Sequence, residues 1–207
     1  MPRIRAASID QHKAITRDAL LGAAKKLIEE AGTADIPLGE VALAAGVGRT
    51  TLYDYFSDRD DMIASLVEEE LPLVISNLIE TVATDQPVDR RLAELASKTV
   101  EFVASDPVFG VILHREAGRM SPDAQERIRA SHAQLSTEMA GLYIRGVADG
   151  VFNRMPPQLA GRLIQDTIMS AAKTLIADDG SMRPTTVTDS LSTFLLGGLA
   201  AHSGFDS

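Results

Sequence analysis

The 207-residue sequence has no cysteine and no tryptophan, and aromatic residues make up only 4% of it. Without thiols there are no disulfides, no cysteine nucleophile and no cysteine-ligated zinc. No apolar run approaches the roughly 18 residues that span a bilayer, and the N-terminus lacks the apolar core of a signal peptide. A soluble, cytoplasmic protein with no membrane partner is expected. Also missing are a nucleophile elbow, a His-Glu metal motif and a phosphate-binding loop, so the sequence offers no catalytic residue, metal site or cofactor site. Gly46-Val47-Gly48 shares part of a dinucleotide-binding turn, but no strand precedes it and the third glycine is absent. His114 and His132 have no second histidine at metal-ligand spacing. Internal repeats and low-complexity segments are absent as well.

What remains is 45% hydrophobic, with alanine and leucine throughout, and favours an all-α protein. The net charge of −9 first argues against nucleic acid, but its distribution matters more than its sum. Residues 1–26 carry six cations (Arg3, Arg5, Lys13, Arg17, Lys25 and Lys26) against Asp10 and Asp18. Residues 67–207 carry 12 basic and 19 acidic side chains. The first 66 residues hold eight basic and ten acidic side chains, so non-specific DNA affinity is expected to be modest.

The densest signal is the run from Val41 to Phe56. It reads as two short helices hinged at Gly46, a residue that reaches the left-handed conformation at little steric cost. Val47 drops between the helices. In the second helix Leu52 and Phe56 point inward at i and i+4, leaving Arg49, Thr50, Thr51, Tyr53 and Tyr55 outward. A cation, two hydroxyls and two phenols suit phosphates and base edges. This is a helix-turn-helix pattern, in which the N-terminal residues of the second helix lie nearest the bases. Arg49 is then the candidate for a bidentate guanine contact, with a phosphate contact as its alternative.

Upstream, an amphipathic helix carries Ile15, Ala19, Ala23, Leu27 and Ala31 at spacing four, ending at Gly32 and beginning between Ser8 and Thr16. Residues 1–8, with Arg3 and Arg5, read as a disordered arm. A second helix begins near Pro37 with Leu38, Val41 and Ala45 inward. Downstream, Ser57-Asp58-Arg59-Asp60 has capping-box spacing, with Ser57 as N-cap of a long helix. Pro72 should kink or split that helix, and Glu68-Glu69-Glu70 reads as a solvated face. Further helices are expected over 88–105, 107–117, 122–149, 156–178 and 186–201, about nine in all.

Over residues 15–66 these features resemble the N-terminal domain of TetR-type transcriptional regulators. The upstream helix, the helix-turn-helix and the run Tyr53-Asp54-Tyr55-Phe56-Ser57-Asp58-Arg59 all match. The resemblance implies a homeodomain-like three-helix DNA-binding head (1–56), a connecting helix four (57–84) and a ligand-binding and dimerisation body (85–207). It implies phosphate contacts from Tyr53, Tyr55, Arg17 and Arg59, the last standing where the family usually has lysine. Two departures stand out. Ile36-Pro37 replaces the hydroxyl residue that usually caps helix two, and Gly48 replaces the serine that usually caps the recognition helix. Both remove phosphate-binding hydroxyls.

A ligand pocket among the middle helices is also implied. Phe102, Phe109, Leu113, Met139, Tyr143 and Met169 lie at spacings compatible with an apolar cavity, and equally with ordinary core. His114, Arg115 and Glu116 form a triplet that would suit a polar effector or simply face solvent. On the last two helices large and small residues alternate. Leu159, Leu163, Ile164, Ile168, Ala171, Ala172 and Leu175 lie on one helix, and Val187, Leu191, Phe194, Leu195 and Leu199 on the next. Gly161, Ser170, Gly197 and Gly198 permit close helix approach. This suggests a homodimeric four-helix bundle, with Leu163, Ala171, Leu175, Leu191, Phe194 and Leu195 at its interface, although a buried intrachain helix would look similar. Two recognition helices related by a two-fold axis must read an inverted repeat on double-stranded DNA, with half-sites about 34–36 Å apart or a multiple of it.

The expected function is therefore a repressor that binds a palindromic operator as a dimer and is released by a small-molecule effector. Its rivals are a helical protein-interaction module that no longer reads DNA and, more remotely, an enzyme of helical fold.

Overall fold

A computed structural model of the chain describes residues 2–177 and 181–201, with side chains over most of that range from Asp10 onward. The side chains of Arg3 and Arg5 lie outside the described residues, as do residues 178–180 at the start of the expected break from Asp178 to Pro184. Ten α-helices and no strand are present among the described residues: α1 (Pro2–Ala31), α2 (Leu38–Ala44), α3 (Arg49–Tyr53), α4 (Arg59–Glu80), α5 (Val88–Ser105), α6 (Pro107–Val111), α7 (Pro122–Ser131), α8 (Ala133–Ala148), α9 (Pro157–Ala177) and α10 (Pro184–Leu199). None of them is long and apolar enough to cross a membrane.

The chain forms two compact units. One comprises residues 1–70 and 107–130, the other residues 71–106 and 131–207. In the first unit α1 packs against α2 and α6. Its buried side chains include Leu20, Leu21, Ala24 and Ile28 of α1, Val41 of α2, Leu52 of α3, and Phe56. From Met62 to Val67 every residue of α4 is buried, so that stretch is enclosed on all sides. In the second unit α5 packs against α8, α9 and α10. Leu92, Leu95, Val100, Leu142, Tyr143, Phe152, Ile164, Ile168, Leu191 and Leu195 build its core.

Several expectations need correction. Helix α1 begins at Pro2, so residues 2–8 continue it instead of forming an arm. Its buried face is Leu20, Leu21, Ala24 and Ile28, one position round from the expected stripe, and Ile15 is 58% exposed. Both stripes have spacing four; the bulkier branched side chains take the core because they bury more apolar area. Helix α4 is not split at Pro72 but continues to Glu80. The expected 107–117 helix is a short α6 followed by a π-helical turn at Ile112–Glu116 and a 3₁₀ turn at Ala117–Arg119. The expected 122–149 helix breaks at His132, whose φ of −89° and ψ of −2° depart from helical values.

The cap of α4 also shifts by one residue. Asp58 accepts a hydrogen bond from the Asp61 amide (2.9 Å), and Asp61 accepts one from the amide of Ser57, the residue before the cap (2.8 Å), so two aspartates tie the entering chain to the first turn. Glu68, Glu69 and Glu70 are not simply solvated. Glu69 pairs with Arg17 and Glu70 with Lys25, both on α1, while Glu68 pairs with Arg127 on α7.

Candidate nucleic-acid interface

The turn between α2 and α3 is closed by backbone hydrogen bonds. Gly46 takes φ +70°, which lets the Val47 amide donate to the Ala42 carbonyl (2.9 Å) and the Gly46 amide to that of Leu43 (3.1 Å). These two bonds make a Schellman closure, satisfying carbonyls that would otherwise be left open at the end of α2. Gly48 then caps α3 in an extended conformation, φ −70° and ψ 146°, with no side-chain bond. A Cβ added there would lie 3.7 Å from the Thr51 hydroxyl, an ordinary contact, so serine fits at this position.

Helix α3 is five residues long and is held by Leu52, which is fully buried, and by Phe56 in the following turn. With these two turned inward, Arg49 and Thr50 are exposed, Tyr53 is 46% exposed, and Thr51 and Tyr55 are half-buried. The Arg49 guanidinium lies 6.0 Å from the centre of the Tyr53 ring, within cation–π reach. Tyr55 tilts against Phe56 with ring centres 6.5 Å apart. The structure thus gathers a cation, a hydroxyl and a phenol on one short, firmly seated helix surface.

The two flanking cations are differently placed. Arg17 lies 5.4 Å over the Phe56 ring and pairs with Glu69. Arg59 pairs with Asp35 and Asp60. A phosphate contact from either must displace a carboxylate of the same chain. In sequence, Glu69 and Asp35 gave no sign of this role, because each meets its arginine only through tertiary packing. Neutralising Glu69 as Glu69→Gln is expected to strengthen binding to random duplex DNA and to steepen its salt dependence by about one counterion. Filter binding across a salt series checks this; an unchanged slope means that Arg17 does not reach the backbone.

The remaining candidates fall into groups that spacing alone did not reveal. Met139 and Tyr143 belong to the core of the second unit and Phe102 packs on it, while Met169 is half-buried on α9. Phe109 and Leu113 belong to the other unit. Of the charged triplet on the π-helical turn, Arg115 is exposed while His114 and Glu116 are half-buried. A cleft of about 490 Å³ is lined by Tyr143, Ile144, Val147, Arg154, Met155, Pro156 and Pro157. Tyr143 is anchored beside it, donating to the Asn153 carbonyl (3.0 Å) and accepting from the Met155 amide (3.0 Å).

On α9 and α10 the expected single faces divide in two. Ala160, Ile164, Ile168 and Ala172 point inward on α9, as do Val187, Leu191, Leu195 and Leu199 on α10. Leu159, Leu163 and Phe194 point outward, with Phe194 71% exposed. Ala171 and Leu175 are half-buried against the core. Between the two helices runs a groove of about 520 Å³ bordered by Leu163, Ala171, Leu191 and Phe194.

Comparison with known proteins places these features in context. Residues 20–66 match the family described as bacterial regulatory proteins, tetR family. Residues 85–199, over half of the chain, match the tetracyclin repressor-like C-terminal domain. The fatty acid metabolism regulator protein of Bacillus subtilis is 22% identical over 181 residues, covering 87% of this chain and 93% of that protein. The transcriptional repressor LfrR of Mycolicibacterium smegmatis is 33% identical over 86 residues, 42% of this chain and 44% of its own length. Among solved structures, FadR of Bacillus subtilis in complex with stearoyl-CoA superposes with a TM-score of 0.75 at 22% identity, covering 87% of this chain and 98% of that one.

Proposed function

Because the chain belongs to the TetR family of DNA-binding transcriptional regulators, which are not enzymes, we propose that it is a homodimeric, effector-released repressor. Residues 1–56 read an inverted-repeat operator, residues 57–84 transmit, and residues 85–207 hold the effector and the dimer contact. It acts in the cytoplasm, where the bacterial chromosome lies. The observation that carries the reading is the exposed Arg49, Thr50 and Tyr53 surface on a helix fixed by the Gly46 closure.

The dimer reading is supported by Leu159, Leu163 and Phe194, three large apolar side chains left outward on adjacent helices. Gly161, Gly197 and Gly198 have open space where a Cβ would project, which suits close approach of a second copy. Glutamate at Phe194 is expected to convert the dimer to monomers, since it would place an unpaired charge in that contact. Sedimentation equilibrium checks this; a variant that stays dimeric moves the interface elsewhere.

For the effector, we propose a partly apolar ligand, with a long-chain acyl-CoA, an apolar tail on a polyanionic head, as the first class to test. Support comes from likeness to a fatty acid metabolism regulator along most of both chains, and from the apolar core of the second unit. The effector acts by preferring the state that does not bind DNA. A roughly hundredfold preference corresponds to about 2.7 kcal/mol, within the usual range of allosteric coupling. Helix α4, which runs through both units, is the lever, with Pro72 as the place where it bends.

The test is selection of sites from a randomised duplex pool, followed by titration of stearoyl-CoA and of free CoA against the selected operator. An enriched inverted repeat, released by the acyl thioester and not by CoA, supports the whole reading. Failure of release with binding intact removes the acyl-CoA class alone, whereas no enrichment removes operator reading.

A further inference from the structure

The first turns of α4 carry a polar cluster that the helix-turn-helix pattern does not account for. Arg127, five residues into α7, donates to three residues of α4: to Asp61 (2.7 Å), to the hydroxyl of buried Ser65 (2.8 Å), and to Glu68 through two bonds (3.0 and 2.6 Å). Nearby, the Ser121 amide at the start of α7 donates to the Asp60 carboxylate (2.8 Å). Two consecutive aspartates on α4 are thus both bound to α7. Partial burial raises the Asp61 carboxyl, but the Ser57 amide and Arg127 outweigh it and hold Asp61 below the usual carboxylate range. Glu68, opposed by partial burial and aided by Asp61, holds the Arg127 guanidinium above its own usual value.

Asp61 does two jobs with one carboxylate. Besides Arg127 it accepts from the Ser57 amide (2.8 Å) and from the Ser57 hydroxyl (3.2 Å). Ser57 directly follows Phe56, whose amide donates to the Leu52 carbonyl of the recognition helix (3.1 Å) and whose ring is buried. Hydrogen bonds from Arg127 and Ser57 to Asp61, and the peptide link from Ser57 to Phe56, therefore connect α7 to the end of α3.

We propose that Arg127 is a positioning residue for operator binding. It fixes the first turn of α4 and, through Asp61, the exit of the recognition helix, so α7 serves the DNA-reading half of the chain although Arg127 follows Asp61 by 66 residues. The inference rests on the DNA-binding reading above and deepens it. Arginine suits the task because its planar fork satisfies two carboxylates and a hydroxyl at once, which a lysine ammonium cannot reproduce. A quarter of its side chain is exposed, and its donors are taken up by Asp61, Ser65 and Glu68 of α4 with Asp123 of α7 alongside, which fits a holding role better than a phosphate contact.

The test compares wild type, Arg127→Met, Arg127→Lys and Glu68→Gln as full chains on the operator selected by wild type. Arg127→Met is expected to weaken operator binding by about tenfold or more, as loss of a shared network does. The salt slope should stay unchanged, and Arg127→Lys should recover part of the loss. A slope lowered by about one identifies a phosphate contact instead and overturns the proposal. So does unchanged affinity in a folded Arg127→Met protein. Should that variant fail to fold, Glu68→Gln keeps the Asp61 contacts and leaves Arg127 one neutral acceptor in place of a two-oxygen carboxylate; a loss of about threefold or more is expected, and none overturns the proposal. Should wild type select no operator, exchange of the Ser57 amide decides. Acceleration of about tenfold or more in Glu68→Gln or Arg127→Met supports the positioning of Ser57 by Arg127 through Asp61, and an unchanged rate overturns it.

Discussion

Alanine at Gly146 is expected to destabilise the protein by about 3 kcal/mol, the upper range for forcing extra volume into a packed interior. The added Cβ would lie 2.1 Å from Cδ2 and 2.4 Å from Cε2 of Phe152, well inside contact distance. The ring has little freedom to retreat. It is buried, it stacks on Tyr143 with centres 6.2 Å apart and planes 9° apart, and its residue is bridged to Ala200. Its amide also donates to the Gly146 carbonyl itself (3.0 Å). Gly150, at φ +73°, completes the same arrangement, because the Val151 amide reaches the Gly146 carbonyl (2.8 Å) in a second Schellman closure. Urea unfolding measures the effect, and a midpoint equal to wild type refutes the packing argument. Phe152→Leu in the Gly146→Ala background should restore part of the loss, since the two sites share one contact.

Replacing Arg49 and Tyr53 together by alanine is expected to weaken operator binding by about a hundredfold or more. Each base or phosphate contact of this kind is worth about 1–3 kcal/mol. Both side chains are exposed, so the fold should be untouched; Leu52 and Phe56, which seat the helix, are unchanged. Arg49→Ala alone separates the two roles open to the arginine. Loss of preference at one base position in each half-site identifies base reading, while a uniform loss with a salt slope lower by about one identifies a phosphate contact. Site selection with each variant beside wild type supplies the result. Recovery of the same sequence at the same affinity from the double variant would remove α3 as the reading element.

The helix-turn-helix was legible because its signals are local. A glycine between two short apolar patterns states its φ in advance, and Leu52 and Phe56 at i and i+4 fix which side faces out. The all-α class followed for similar reasons. Long-range pairing was not legible. Glu68, Glu69 and Glu70 looked like a solvated run, yet each meets a cation at least 45 residues away, and nothing in their spacing names Arg17, Lys25 or Arg127. The break at His132 carries no glycine or proline and so gave no warning. Gly146 offered no signal either, because its requirement comes from a ring six residues later that only the Gly150 turn brings back. On α9 and α10 the apolar content exceeds what one face can bury, so composition suggested a stripe where there are two.

The brevity of α3, five residues or about one and a half turns, limits how long a word one copy can spell. If each copy specifies about four base pairs, that word recurs about once in 256 positions, against the ~10⁶ or more competing sites of a genome. No gain in affinity from the same four pairs changes that address length. In the proposed dimer, two copies at fixed separation double the word and add the spacer as a further symbol, bringing the odds of a chance match to about one in 65,000. The shortfall that remains must be met by flanking contacts or by the shape of the duplex between the half-sites. Operators of this protein should accordingly tolerate a changed base more readily than a changed spacer.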